Sequence, residues 1–265
     1  MNILDKIDRN DYFSSIDRHL ARFMTGLSPQ TDPVIGLSAA LLSRNNREGD
    51  VCIDLGSFAG SILGSEVEGE LALACPNLSK WREHLKKSEL VGKPGGYFPL
   101  IRDNADRLYF YRYWKYEREL IDFICLRTQD NVGEIDQEKL KRHLDAFFPE
   151  TGKPGIDWQK TAAAVAALKR FCVISGGPGT GKTYAIARIL ATLIQQSGPR
   201  GLRIYMTAPT GKAAARLAES IGEAKKTLTC DPKTLEAIPD AGATIQRMLK
   251  SVKDSPYFFY NRENP

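Results

Sequence analysis

The 265 residues predict an α/β protein, in which a mainly helical front domain of mixed α+β character precedes a parallel α/β domain. Three observations carry this expectation. Apolar residues recur at helical spacing through most of the first 150 positions. After about residue 156, helical stretches alternate with short, nearly continuous apolar runs, as buried parallel strands do. Between the two rhythms lies the Gly- and Pro-punctuated stretch from Pro149 to Gly155, which reads as a linker. The expected organisation is therefore 1–150, a linker at 151–155, and 156–265.

Each element has its own warrant. Tyr12, Phe13, Ile16, Leu20, Phe23, Met24 and Leu27 lie at steps of three, four and seven, which predicts an amphipathic helix stopped near Gly26 and Pro29. Val34 to Leu42 is a second helix, with Asp32 as cap and Pro33 in its first turn. Val51 to Leu55 has strand character, and Asn77 to Lys87 is a helix with Leu78, Trp81 and Leu85 on one face. Phe98–Ile101 and Leu108–Tyr111 predict a hairpin joined by the polar run Arg102 to Arg107. The aromatic run Tyr109, Phe110, Tyr111, Tyr113, Trp114, Tyr116 feeds a helix through Leu120, Ile121, Ile124 and Cys125. It falls at a strand-to-helix junction in an acidic half, so packing or docking is expected of it rather than base stacking. Glu138 to Phe148 is one more helix. Beyond the linker, Asp157 caps a helix to Leu168, Phe171–Ser175 is a buried strand, and a glycine loop opens a helix from Thr183 to Gln196. Leu202–Ala208 and Gly211–Ile221 give a further strand and helix.

Composition narrows the function classes. Hydrophobic residues make up 42% and charged residues 26%, which excludes wholesale disorder. Charges interrupt the N-terminus from Asp5 onward and no run approaches a membrane span, so a cytoplasmic location is expected. The five cysteines are scattered without a CxxC, and the three histidines stand apart, so reduced thiols are expected rather than a zinc site. The net charge of +5 hides an asymmetry. Residues 1–157 hold 21 Lys+Arg against 25 Asp+Glu, and residues 158–265 hold 16 against 7. A basic back half suits a polyanionic partner.

The most specific motif is Gly176-Gly177-Pro178-Gly179-Thr180-Gly181-Lys182-Thr183, which fits the G-x-x-x-x-G-K-[ST] phosphate loop in its strand–loop–helix setting. Glycines let successive backbone N–H groups turn inward toward phosphates. The following helix adds its positive dipole end. Lys182 suits the β- and γ-phosphates, and the Thr183 hydroxyl suits a Mg²⁺ ion carried by ATP. The loop alone does not choose among kinases, GTPases, transporters and motors.

The flanks choose. Asp157-Trp158-Gln159-Lys160 with Ala162-Ala163, then the loop, then Ala208-Pro209-Thr210-Gly211-Lys212-Ala213-Ala214 with Arg216-Leu217, resembles the RecD branch of superfamily 1 helicases. Thr244 to Leu249 is similar to that family's Thr-x-His-Arg-Leu-Leu segment, with Gln246 in place of His. In the front half, Ser38–Ser43, Val51–Leu55 and Leu108–Glu117 resemble the RecD subunit family of exodeoxyribonuclease V. The resemblance implies a RecA-like second domain and an ATP-driven 5′-to-3′ DNA translocase acting in double-strand-break repair beside RecB-type and RecC-type partners. It implies that Gln159 reads the adenine edge, and that Thr210, Lys212 and Thr244 touch single-stranded DNA. It implies that the front domain contacts the partner subunits.

Hydrolysis by such a motor also needs an acidic pair for Mg²⁺ and a charge-stabilising arginine. No apolar strand ending in Asp-Glu follows Ala208, so the second domain is expected to be incomplete and the chain alone inactive, or a non-catalytic docking and nucleotide-binding module. A stand-alone RecD-like helicase is the less favoured alternative. Glu223-Ala224-Lys225 and Asp231-Pro232-Lys233 have the carboxylate-x-Lys spacing of many nucleases, but neither follows a strand, so nuclease chemistry is not expected.

Overall fold

The computed structural model describes residues 1–27, 30, 32–64, 72–129, 133, 135–149, 155–197 and 201–264. The chain packs as two compact units, Met1–Phe123 and Ile124 onward.

In the first unit, α1 (Ile3–Arg9), α2 (Ser15–Gly26) and α3 (Pro33–Glu48) pack together, followed by the short α4 (Leu55–Phe58) and by α5 (Leu78–Lys87). The strands β1 (Ile53–Asp54), β4 (Val91–Gly92), β5 (Leu100–Arg102) and β6 (Arg107–Phe110) form one sheet in the order β1-β6-β5-β4. The strands β2 (Ile62–Leu63) and β3 (Leu73–Ala74) form a separate antiparallel pair. Helix α3 is the axis of this unit, with every residue from Val34 to Ser43 buried. Asp32 caps it through Val34 N and Pro33 opens its first turn, as expected. Trp81 on α5 is fully buried, and its indole N–H donates to Ser38 Oγ at 2.8 Å. Asp17 is also fully buried, and accepts from Arg47, Ser43 and Ser14.

Several elements differ from their expected bounds. The helix expected from Tyr12 starts at Ser15, because the Asp17 carboxylate accepts from both the backbone N–H and the hydroxyl of Ser14 and fixes the N-cap there. Its expected stop at Pro29 lies outside the described residues. The strand at Val51–Leu55 shrinks to Ile53–Asp54, because the Asp54 carboxylate caps α4 through Gly56 N and ends the extended run. The hairpin forms, with Ile101 opposite Tyr109, and Asp103 and Asp106 build its turn. Helix α1 was not legible as a helix, though Asn2 and Asp5 form a capping box there. The aromatic run divides: Tyr109 is buried in the sheet, while Tyr113 and Tyr116 are exposed on α6 (Tyr111–Gln129).

The second unit contains α7 (Gln137–Phe147), α8 (Trp158–Leu168), α9 (Lys182–Gln196), α10 (Gly211–Lys226), α11 (Pro232–Ala237) and α12 (Ile245–Leu249). Its strands β7 (Met206–Ala208) and β8 (Gly242–Thr244) pair in parallel across the crossover helix α10, and Ala208 lies opposite Thr244. Leu140, Leu144, Phe147 and Phe148 join Ala163, Ala167, Ala191 and Ile221 in one core. Helix α7 therefore packs with the back half, whereas a boundary at 151–155 would leave it in front. Its stripe at steps of four and three needs an apolar partner and finds it on α8 and α9. Residues 150–154, most of the expected linker, lie outside the described residues.

Two strand expectations are corrected here. Phe171–Ser175 forms no ladder, and Val173 is 74% exposed. Leu202–Tyr205 forms none either, so only Met206–Ala208 of that strand remains. A run apolar on both faces becomes a strand only between neighbours, and no described strand lies beside 171–175. The architecture is α/β with a parallel pair.

Candidate functional site

The phosphate loop is shaped by its own backbone. Gly179 and Gly181 have φ of +75° and +76°, a left-handed conformation that side chains adopt at a cost. These turns curl the loop toward the start of α9. Gly181 is the N-cap of α9 and offers no side-chain acceptor to the helix's first N–H groups. In the same unit, Asp157, Thr210, Asp231 and Thr244 cap their helices with side-chain oxygens. The start of α9 thus keeps its donors and dipole for an anion. Thr180 Oγ1 donates to Gly177 O at 2.9 Å and braces the curl. The Lys182 ammonium folds back to donate to the carbonyls of Gly176 and Gly177, the latter at 2.5 Å.

Gln159 reaches this loop from α8. The Asp157 carboxylate accepts from Gln159 N and Lys160 N, both at 3.0 Å, and fixes the helix start. The Gln159 side-chain Nε2 donates to Thr180 O at 3.3 Å. Lys160 donates to Asp145 on α7 at 2.7 Å, and that bond holds the Asp145 carboxyl below the usual carboxylate range. A cleft of about 970 Å³ opens beside the loop, lined by Gln159, Ser175, Gly176, Thr180, Lys182 and Arg188 among others. The expected nucleotide residues Gln159, Gly176, Thr180 and Lys182 therefore share one cleft. Thr183 stands next to Lys182 in the first turn of α9, while Gly177, Pro178 and Gly179 form the exposed crest of the loop.

Arg188 was missed from sequence. It stands one helical turn after Tyr184, and its guanidinium lies 5.0 Å from the Tyr184 ring and 5.6 Å from that of Phe148. The four-residue spacing to Tyr184 was the available signal.

A second cluster forms at the carboxyl ends of the parallel strands, where α/β sheets place their ligands. Thr244 ends β8 opposite Ala208, and Thr210 follows two residues after Ala208. Thr210 Oγ1 accepts from Ala213 N and Thr244 Oγ1 accepts from Arg247 N, both at 3.2 Å. A hydroxyl that accepts at a cap still has its proton to donate, so capping leaves room for a phosphate contact. Lys212 is exposed in the first turn of α10, and Gln246 is exposed on α12.

The carboxylates of the two carboxylate-x-Lys triplets are occupied elsewhere. Glu223 pairs with Lys226, and Lys225 with Asp240. Asp231 caps α11, where the side chain and backbone N–H of Thr234 pull its carboxyl down to about 2. The two carboxylate-x-Lys triplets thus serve helix ends. Among the described residues, no group of three or more His, Cys, Asp or Glu could hold a metal ion. None of the described helices is long and apolar enough to cross a membrane.

Both parts of the chain match known protein families. Residues 9–109 match the family described as RecBCD enzyme subunit RecD, N-terminal domain, and residues 159–263 match an AAA domain. The chain is 33% identical over 253 residues to the RecBCD enzyme subunit RecD of Mycobacterium tuberculosis, covering 94% of this chain and 40% of that protein. It is 37% identical over 209 residues to the RecBCD enzyme subunit RecD of Mycolicibacterium smegmatis, covering 77% of this chain and 34% of that one. An ATP-dependent RecD2 DNA helicase of Deinococcus radiodurans is 37% identical over 88 residues, 32% of this chain and 11% of the helicase. The chain thus spans 34% and 40% of the two mycobacterial relatives. With a RecD N-terminal domain followed by an AAA domain, the chain belongs to the RecD family.

Proposed function

We propose that this chain holds ATP and its Mg²⁺ at residues 176–183 and single-stranded DNA at the carboxyl ends of β7 and β8. It would do so as the front part of a 5′-to-3′ DNA translocase of the exodeoxyribonuclease V type. That enzyme would act in double-strand-break repair and recombination in the cytoplasm, with RecB-type and RecC-type subunits. The observation that carries the reading is the uncapped start of α9, with Lys182 and Thr183 in its first turn. Gln159 would meet the adenine edge, Lys182 the β- and γ-phosphates, and the Thr183 hydroxyl the metal. Bound Mg²⁺ supplies charge neutralisation at the phosphates. Thr210, Lys212 and Thr244 would contact phosphates of the strand, which fits sequence-independent tracking.

Among the described residues that line the cleft, Asp157 is the one carboxylate, and it is spent on the cap of α8. This favours a chain that by itself binds nucleotide without turning it over. Lys182→Ala is the direct test in the intact protein. ATP affinity falls at least tenfold by calorimetric titration if the loop is the site; unchanged affinity refutes the proposal. For the DNA edge, Lys212→Ala weakens strand binding and lowers the slope of log affinity against log salt by about one unit. An unchanged slope removes Lys212 from the interface.

A further inference from the structure

Gln159 makes a bond that base reading does not require. Its Nε2 donates to the carbonyl of Thr180, inside the phosphate loop and 21 residues away in sequence. The same nitrogen lies against the next residue of the loop: a Cβ on Gly181 would sit 2.9 Å from it. The base of the side chain is itself held. Asp157 fixes the first turn of α8 through the backbone N–H groups of Gln159 and Lys160, and Lys160 ties that turn to Asp145 on α7. A carboxamide anchored in this way presents a fixed donor to a loop whose own bonds are short-range, from Thr180 to Gly177 and from Lys182 to Gly176 and Gly177.

We propose that Gln159 is a positioning residue for the phosphate loop, whose amide latches the Thr180 carbonyl and so orients the backbone N–H groups that receive phosphate. This rests on the nucleotide reading above and extends it. The hydrogen-bond inventory of the amide allows both roles at once. It has two N–H donors and one carbonyl acceptor. One N–H serves Thr180. The other N–H and the carbonyl remain, and that pair matches the acceptor N7 and donor N6 of adenine. Latching the loop therefore preorients the amide for the base, and a bound base steadies the loop. Base and phosphates reinforce one another through a single side chain.

The two roles separate with a ligand that has phosphates and no base. Affinities for ATP and for inorganic tripolyphosphate are measured by calorimetry on the intact protein, for wild type and for Gln159→Ala, Gln159→Met and Gln159→Glu. Met keeps the length and helix preference of Gln without a donor. Glu keeps the shape and presents only acceptors at neutral pH. If Gln159 latches the loop, all three variants lose about three- to tenfold in tripolyphosphate affinity, the usual worth of one hydrogen bond, and lose more for ATP. The Met variant carries the test if the Ala variant melts early. Tripolyphosphate affinity equal to wild type in the Met and Glu variants, with ATP weakened, makes Gln159 a base reader alone and overturns the latch. Equal affinity for both ligands overturns it too. A wild-type protein that takes up neither ligand refutes the phosphate site itself, a result distinct from loss in the variants.

Discussion

Replacing Gly181 with alanine tests whether the curl of the loop is what binds phosphate. Two costs follow from the geometry. At φ +76° and ψ 19°, an L-residue pays about 1 kcal/mol for the left-handed conformation. The new methyl would stand 2.9 Å from Gln159 Nε2, too close for a carbon, so the amide must swing away from Thr180 O. That forfeits a hydrogen bond worth about 1 kcal/mol. The loop is largely exposed, so the nucleotide-free chain relaxes and escapes most of the strain. Phosphate binding demands the curled form, and the cost then falls on binding. About 2 kcal/mol corresponds to roughly a thirtyfold loss of ATP affinity. Calorimetric titration of the intact protein reads this directly, and thermal melting without nucleotide should move little. ATP affinity within twofold of wild type would show that the loop does not need its left-handed turn, and the preorganised cradle would be refuted.

The other predictions concern stability. Asp17→Ala leaves the Ser43 hydroxyl buried without its partner and removes the cap of α2, for a loss of about 3 kcal/mol in urea unfolding followed by tryptophan emission; a loss under about 1 kcal/mol contradicts the network. Burial pushes the Asp17 carboxyl up, but hydrogen bonds from Arg47, Ser43 and Ser14 outweigh it, so its pKa lies below 3.8 in the folded chain. That stabilisation is present in full above the unfolded value and is lost as pH falls through the folded one. The first unit should therefore weaken progressively below about pH 4, and Asp17→Asn should blunt that slope in acid titrations of stability. Gly222→Ala, inside α10 with nothing within 4 Å of the added methyl, should raise stability by about 0.5–1 kcal/mol and leave ATP affinity unchanged; a lower melting temperature contradicts the open space.

What could be read from the sequence was local. Asp32, Asn77 and Asp157 each stand immediately before a helix and bond to N–H groups two or three residues on, so the chain itself announces the cap. The loop at 176–181 bends through its own glycines for the same reason. What could not be read was set by distant neighbours. Phe171–Ser175 has the composition of a buried strand, but no residue inside it says which strand lies alongside. Leu140, Leu144 and Phe147 make a stripe whose partner could have lain on either side of the expected linker. The Gln159–Thr180 bond spans 21 residues and leaves no trace in local pattern. Arg188 carried only its spacing from Tyr184.

The two proposed binding edges therefore rest on different kinds of order. The nucleotide edge is built from consecutive residues: a loop, the start of α9, and one side chain brought in by the first turn of α8. Its shape survives although 171–175, the run leading into it, sits in no ladder. The strand edge is built from separated residues. Thr210 and Thr244 are neighbours only because β7 and β8 pair in register, Ala208 opposite Thr244, with α10 packed along both strands. Disturbing that register moves a hydroxyl of the strand edge without touching a residue of the loop. Disturbing Gly181 or Gln159 changes the loop without moving the ladder. Use of both edges together requires a link between them, and the residues that join them in this unit lie on α9 and α10, the helices that start at the two edges and pack against each other. Tyr184 near the start of α9 and Thr227 at the end of α10 touch through their hydroxyls, so that contact lies between the phosphate loop and the far end of the helix that Thr210 caps.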